Sequence, residues 1–458
     1  MMSATTSARM RNFSLYSLSK RDWILIGILI VALVPRLFSV HWNSIPHGDV
    51  EVDVQASASF LRDGTFTLPP SDEIPSSDAP LSASTTHLIQ HPPLWPLLGA
   101  VLTRGMGLSP SPQNIFFAFK ILSLFSGLVL ILLAERVGRK LISETAGLVM
   151  AGWIAVSTIM IDFSGNGSFY SLHAALYLLW ILIAFRRDDW MRAISLGVVT
   201  GVAYMINFQS ILLLPASVIV LLWKRKESWS QRIGYAAVAT GIVVAIALPW
   251  CIRNAVLFGD PFYSHYANNI YVFIKSGVPL STKNGQPYYD LQLSNWLDIL
   301  FNGVIRVWLP NNLYYIARKL FILAPIAFFL FSFAWIDYLF SKERIRKIAP
   351  LLLLLILHLL ISSAWPVTKF RYFVPMLPLV FLIALEHLYA QKWTENTRKF
   401  LISITFISLI VLTFLTWRAI PTHTMYYDGA ITNDPFHGSQ EMDFVREHYP
   451  ELFPKPQS

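Results

Sequence analysis

Charge is scarce in this chain: Asp, Glu, Lys and Arg make up 14% of its 458 residues. A soluble domain carries about 25%, so a water-covered globule is excluded as its main body. Cysteine is nearly missing too. Cys251 stands alone, which excludes an internal disulfide and a cysteine-based metal site. No internal repeat, low-complexity tract or separate soluble domain is visible. There is also no basic stripe interleaved with exposed aromatics, which argues against nucleic acid as a partner.

What is present is apolar. Hydrophobic residues reach 54% and the mean hydropathy is +0.50. They fall in blocks of ~17–25 residues, the length that crosses a hydrocarbon core of ~30 Å. The first block, Trp23 to Val40, follows Arg9, Arg11, Lys20 and Arg21. No small-residue cleavage site comes after it, the pattern of an uncleaved signal anchor.

Six short segments hold 21 of the 36 Lys and Arg residues, and the positive-inside trend assigns all six to the cytoplasm. They are the N-terminal tail, Arg136–Lys140, Arg186–Arg192, Lys224–Arg232, Lys342–Lys347 and Lys392–Lys399. Between consecutive basic segments the chain must cross an even number of times. The spans expected are about 23–40, 115–135, 143–162, 169–185, 193–207, 209–223, 233–257, 320–340, 349–365, 370–390 and 400–417. These eleven crossings, within a range of 11–13, place the N-terminus inside and the C-terminus outside. The stretch Leu94–Leu108 is interrupted by Pro96 and Arg104 and reads as a juxtamembrane or re-entrant helix. Residues 1–417 then form one transmembrane domain with external loops 41–114 and 258–319, and residues 418–458 form a short external tail.

Four external segments carry candidate chemistry. Asp49 to Asp63 reads as a short amphipathic helix stopped by Gly64. On it Asp49 and Asp53 share a face at i and i+4, while Glu51 points elsewhere. A solvated acidic loop is the plainer reading, but Asp49 lies just past the first span, beside lipid headgroups. Gln90-His91-Pro92-Pro93-Leu94 is held extended by its two prolines and places His91 at the interface. Pro249-Trp250-Cys251-Ile252-Arg253-Asn254 sets an arginine at the outer end of a span, where it faces a wet cavity or snorkels to the headgroups. Lys369-Phe370-Arg371-Tyr372 puts two cations at an external edge, against the charge trend, and both residue types suit phosphate.

Together these segments resemble the GT-C superfamily, in particular its protein O-mannosyltransferase and aminoarabinose-transferase branch. That branch has an acidic motif some way before a glycine, then Lys/His-Pro-Pro-Leu, Pro-Trp-x-x-Arg-Asn and a late Arg-Tyr…Pro…Pro. All recur here in order, over most of the chain. The resemblance implies an all-α polytopic membrane protein of GT-C fold with juxtamembrane helices in the first external loop. It also implies an inverting glycosyltransferase that uses a polyprenyl-phosphate sugar, a hexosyl or pentosyl donor, on the non-cytoplasmic face. The family's catalytic aspartate falls on Asp49. Val50 replaces the acidic residue that commonly follows it, so Glu51 and Asp53 both stay open for a second acidic role. His91, Lys369 and Arg371 take carrier-phosphate positions, and Arg253 helps to form the cavity.

One general base suffices when the leaving group is a phosphate, unlike glycoside hydrolysis with its two carboxylates. No metal or other cofactor is expected. Oligosaccharyltransferases of the superfamily bind a divalent cation, but their Trp-Trp-Asp signature is missing here. Partners expected are the lipid-linked donor, membrane lipids and a lipid, glycan or protein acceptor, and a prokaryotic plasma membrane is the expected site. A ligase or polymerase of polyprenyl-linked glycans, using Arg306 and Arg318, is a rival, as is a lipid flippase or transporter using deep histidines His173 and His358.

Overall fold

The computed structural model describes residues 18–43, 49–68, 91–186, 189–223, 227–259, 261–262, 309–363 and 370–419. Among these residues the architecture is helical throughout. In chain order the helices are α1 (Lys20–Trp42), α2 (Asp49–Asp63), α3 (Leu94–Gly105), α4 (Pro112–Leu141) and α5 (Glu144–Val156). Then come α6 (Thr158–Asp162), α7 (Tyr170–Ala184), α8 (Asp189–Tyr204), α9 (Leu213–Leu222) and α10 (Trp229–Phe258). The last five are α11 (Leu309–Leu323), α12 (Pro325–Phe340), α13 (Lys342–Ser363), α14 (Leu377–Ala390) and α15 (Glu395–Ala419). Short 3-10 turns at Phe208–Leu212 and Phe370–Phe373 precede α9 and α14.

Each of the eleven apolar stretches overlaps a helix. Five helices are long and apolar enough to cross a membrane: α1, α4, α10, α13 and α15. Five shorter apolar helical segments accompany them, among them α5, α7 and α14. Two expected spans are broken. The stretch 143–162 divides at Ser157 into α5 and α6, and helix α11 precedes the expected start at residue 320. The final part of the loop expected over 258–319 is thus helical, and α11 packs on α13. A proline at the first position of α12 explains the break from α11, because it removes the donor that would continue the helix.

The local starts and stops have ordinary causes. A capping box between Ser19 and Asp22 opens α1, and a second between Ser228 and Gln231 opens α10. Gly64, at φ +70°, ends α2 and donates its N–H to the Phe60 carbonyl at 3.0 Å. Helices α4, α5 and α7 form the buried centre, with Trp153, Trp180 and Tyr177 fully covered.

Arg36, singled out by nothing in the sequence reading, is also fully buried in α1. Its guanidinium donates to the carbonyls of Ile154 and Ala155 at 3.1 and 2.9 Å. Those carbonyls are the open C-terminal end of α5, and a cation there satisfies both hydrogen bonding and the helix dipole. The break at Ser157 is what makes them available.

Candidate active site

Three long-range ties bring the acidic helix to its place. Lys120 of α4 donates to the carbonyls of Val40 and Asn43 at 3.0 and 3.1 Å, pinning the end of α1 six residues before Asp49. Ser57 of α2 donates to the Pro96 carbonyl of α3 at 2.8 Å, so the two juxtamembrane helices lie against each other. Val50, Val54 and Ala56 turn inward from α2 and are 2%, 2% and 0% exposed. The amphipathic pattern therefore buries its apolar face and carries Asp53 in with it.

Asp49 sits at the first position of α2, where the helix dipole favours a carboxylate. Its Oδ2 lies 3.0 Å from Arg371 Nη1 and accepts the Tyr170 hydroxyl at 3.2 Å. Its Oδ1 lies 3.7 Å from His91 Nε2. His91 Nδ1 is 3.0 Å from Asp53 Oδ1, and the ring stands edge-on to Phe169 with centroids 5.3 Å apart. The side chains of Asp53 and His91 are 0% and 2% exposed, whereas those of Asp49 and Arg371 are 18% and 12%. The cluster is layered: a buried Asp53–His91 pair behind a more open Asp49–Arg371 pair.

Burial pushes the Asp53 carboxyl up, with Asp49 adding to that and His91 opposing it. Burial pulls the His91 imidazole down, but Asp53 and then Asp49 outweigh it, so its value is raised overall. Both directions mean that the pair keeps its proton to higher pH. Asp53 Oδ2 is buried with no hydrogen-bond partner among the described residues. A group so placed is costly as a full anion, which again favours a proton held between Asp53 and His91.

The arrangement sorts the candidate residues. Asp49, Asp53, His91 and Arg371 come together. Glu51 does not: it is half-buried on the next face of α2, shares no hydrogen bond or ion pair with the described residues, and has its carboxyl raised by burial. His91 differs from a phosphate contact in this structure, because both ring nitrogens face carboxylates and the residue is 1% exposed. Arg253 stacks over the Trp250 ring at 4.2 Å and donates to Asn254 Oδ1 at 2.9 Å. Trp250 packs with Ala56 and Leu68, so this end of α10 borders the acidic helix. Lys369 and Arg306 lie outside the described residues. Among those residues, no group of three or more His, Cys, Asp and Glu is arranged to hold a metal ion.

Tyr170 is the residue that sequence reasoning missed. Its one legible signal was a hydroxyl at the outer end of the expected span 169–185. The deep histidines of the transporter reading are tied into packing. His173 Nε2 is 2.8 Å from the Ser210 hydroxyl, and His358 donates from Nε2 to the Tyr372 carbonyl at 3.0 Å while Tyr177 reaches its Nδ1 at 3.2 Å. The latter pair holds the 3-10 turn that bears Arg371.

Residues 90–252 match the family model described as dolichyl-phosphate-mannose-protein mannosyltransferase. No curated protein matches the sequence. Among solved structures, ArnT from Cupriavidus metallidurans bound to undecaprenyl phosphate is similar, with a TM-score of 0.55 and 15% identity over 88% of this chain and 65% of that one. The oligosaccharyltransferase of Archaeoglobus fulgidus in its apo form gives a TM-score of 0.56 and 13% identity, over 97% of this chain and 61% of that one. The Archaeoglobus fulgidus enzyme AglB, in complex with an inhibitory peptide and a dolichol-phosphate, gives 0.55 and 14% identity over 97% and 61%. The chain spans a little under two thirds of these structures. It is a multi-pass integral membrane protein built on the GT-C fold of the membrane glycosyltransferases.

Proposed function

We propose that this protein is an inverting glycosyltransferase that moves a sugar from a polyprenyl-phosphate carrier to an acceptor hydroxyl on the non-cytoplasmic face. One observation carries the reading: a partly open carboxylate, Asp49, is gripped by Arg371 and Tyr170 where α2 begins beside the start of α7. Asp49 takes the acceptor proton as the hydroxyl oxygen bonds to the anomeric carbon, and the carbon–oxygen bond to the carrier phosphate breaks on the opposite face. The phosphate leaves as an anion, so no general acid is needed. A guanidinium carries five donors, so the head that orients Asp49 also suits a phosphate oxygen. Lys369, two residues earlier in the sequence, is a second cation of a type that suits phosphate. His91 and Asp53 hold Asp49 from behind, as positioning residues. Arg253 and Trp250 form part of the cavity wall. The carriers bound in the ArnT and AglB structures support a polyprenyl-phosphate donor.

The test is transfer of radiolabelled sugar from a panel of polyprenyl-phosphate sugars to mixed membrane acceptors, using purified protein in detergent. One donor should lose its label to the wild type, and Asp49→Asn should slow that transfer by about 10²–10⁴-fold. Full activity in Asp49→Asn, with Glu51 or Asp53 essential instead, would overturn the base assignment. The reaction as drawn uses no divalent cation, so EDTA should leave the rate unchanged. A loss restored by added metal would overturn that part.

A further inference from the structure

The end of the bundle away from Asp49 holds a cavity that the proposed reaction does not use. Helix α7 starts at Tyr170, beside Asp49, and its 15 residues end at Ala184, about 22 Å away at 1.5 Å per residue. There the ends of α7 and α9 and the starts of α8 and α13 line an open cavity of about 550 Å³. The walls include Phe185, Val220, Trp223 and Leu353, and two cations, Arg192 and Arg346, line the same space.

Arg192 is 4% exposed. Its Nη2 lies 2.8 Å from Asp189 Oδ1, and its Nε has no hydrogen-bond acceptor among the described residues. Glu227 also acts on it electrostatically. Arg346 is exposed at the rim and pairs with no carboxylate among the described residues. A buried guanidinium donor with nothing to bond is costly, and an anion seated between the two arginines would satisfy it. The sequence segments 186–192, 224–232 and 342–347, which supply or adjoin the lining, hold eleven Lys and Arg against four acidic residues. That excess draws anions to this face.

An apolar track continues from the cavity along the helices. On α13, Leu353, Ile356 and Leu360 follow at helical spacing, the last two 42% and 48% exposed. Ile219 of α9 is also exposed, and α9 packs against α13. Trp223, 57% exposed, caps α9 just before the basic segment 224–232, and an exposed indole at a helix end suits a headgroup region. A free inorganic anion has no use for such a track. A lipid does.

We propose that this cavity is an anionic-lipid site. It seats the phosphate of a glycerophospholipid, from the leaflet opposite Asp49, between Arg192 and Arg346, with an acyl chain along Leu353, Ile356 and Leu360. Native mass spectrometry and thermal unfolding of the full chain test it, with phosphatidylglycerol, phosphatidylcholine and inorganic phosphate as probes. Phosphatidylglycerol should stay bound and raise the Tm, while phosphatidylcholine and inorganic phosphate should do neither. Arg346→Ala, at an exposed position, should weaken phosphatidylglycerol retention about fivefold. Ala349→Trp, which puts an indole into the cavity and leaves both arginines in place, should abolish it. Retention unchanged in both variants, equal retention of phosphatidylcholine, or no phosphatidylglycerol bound to wild type would each overturn the proposal. Stabilisation by inorganic phosphate without any retained lipid would overturn the lipid assignment.

Discussion

At the scale of single residues, the Asp53–His91 pair governs how the site responds to pH. Both groups have raised values in the folded protein, so the folded state binds more protons than the unfolded one. Stability then falls as pH rises. The part due to Asp53 declines upward from the ordinary carboxyl value of 3.8. The part due to His91 is fully present below the ordinary imidazole value of 6.5 and is lost as pH passes through the raised folded value. The Tm of the purified protein should therefore drop between mildly acidic and mildly alkaline pH. Asp53→Asn removes the stronger of the two carboxylates that raise His91, and burial then dominates the imidazole. That variant should show a flatter Tm–pH curve above pH 6.5. An identical slope in wild type and Asp53→Asn would show that other groups set it.

At the scale of elements, the site depends on α1 ending close to the turn between α6 and α7. A Cβ added at Gly165 would lie 2.3 Å from Ser39 Oγ and 2.8 Å from the Ser39 carbonyl carbon. The backbone atom cannot swing aside, so α1 or the turn would have to move. That turn leads directly into Phe169 and Tyr170, which touch His91 and Asp49. Gly165→Ala should cost about 1–3 kcal/mol and lower transfer activity along with Tm. Gly27→Ala is the control, since a Cβ there meets nothing within 4 Å. If both variants unfolded at the wild-type temperature, the close approach of α1 would have no energetic weight. Much of the element layout was legible. Helix α2, with its glycine stop and its shared Asp49–Asp53 face, followed from helical periodicity and from Gly64. The break at Ser157 and helix α11 were not legible, because hydropathy averages over a window and passes across a short interruption.

At the scale of the whole molecule, orientation rests on the basic segments. By the positive-inside trend Lys342 is expected in the cytoplasm and Asp63, the last residue of α2, outside. Both side chains are exposed. In a Cys251→Ser background, Asp63→Cys should react with a membrane-impermeant maleimide in intact cells, and Lys342→Cys only after permeabilisation. The reverse labelling pattern would invert the topology and move the acidic site to the cytoplasm. The same end-to-end polarity separates the Asp49 cluster from the Arg192–Arg346 cavity.

The sequence by itself determined the quantities that depend on near neighbours along the chain. These are the apolar blocks, the basic segments between them, the α2 face that pairs Asp49 with Asp53, and the proline-held entry at His91. Each is set by composition or by spacing within a few residues. Only the tertiary structure decided what those residues meet. Asp49 finds Tyr170 and Arg371, His91 turns both ring nitrogens toward carboxylates, and Arg36 closes the end of α5. These contacts join residues 38 to more than 300 positions apart. They exist because α4, α5 and α7 pack into one buried centre, and packing of that kind leaves no periodicity in the sequence.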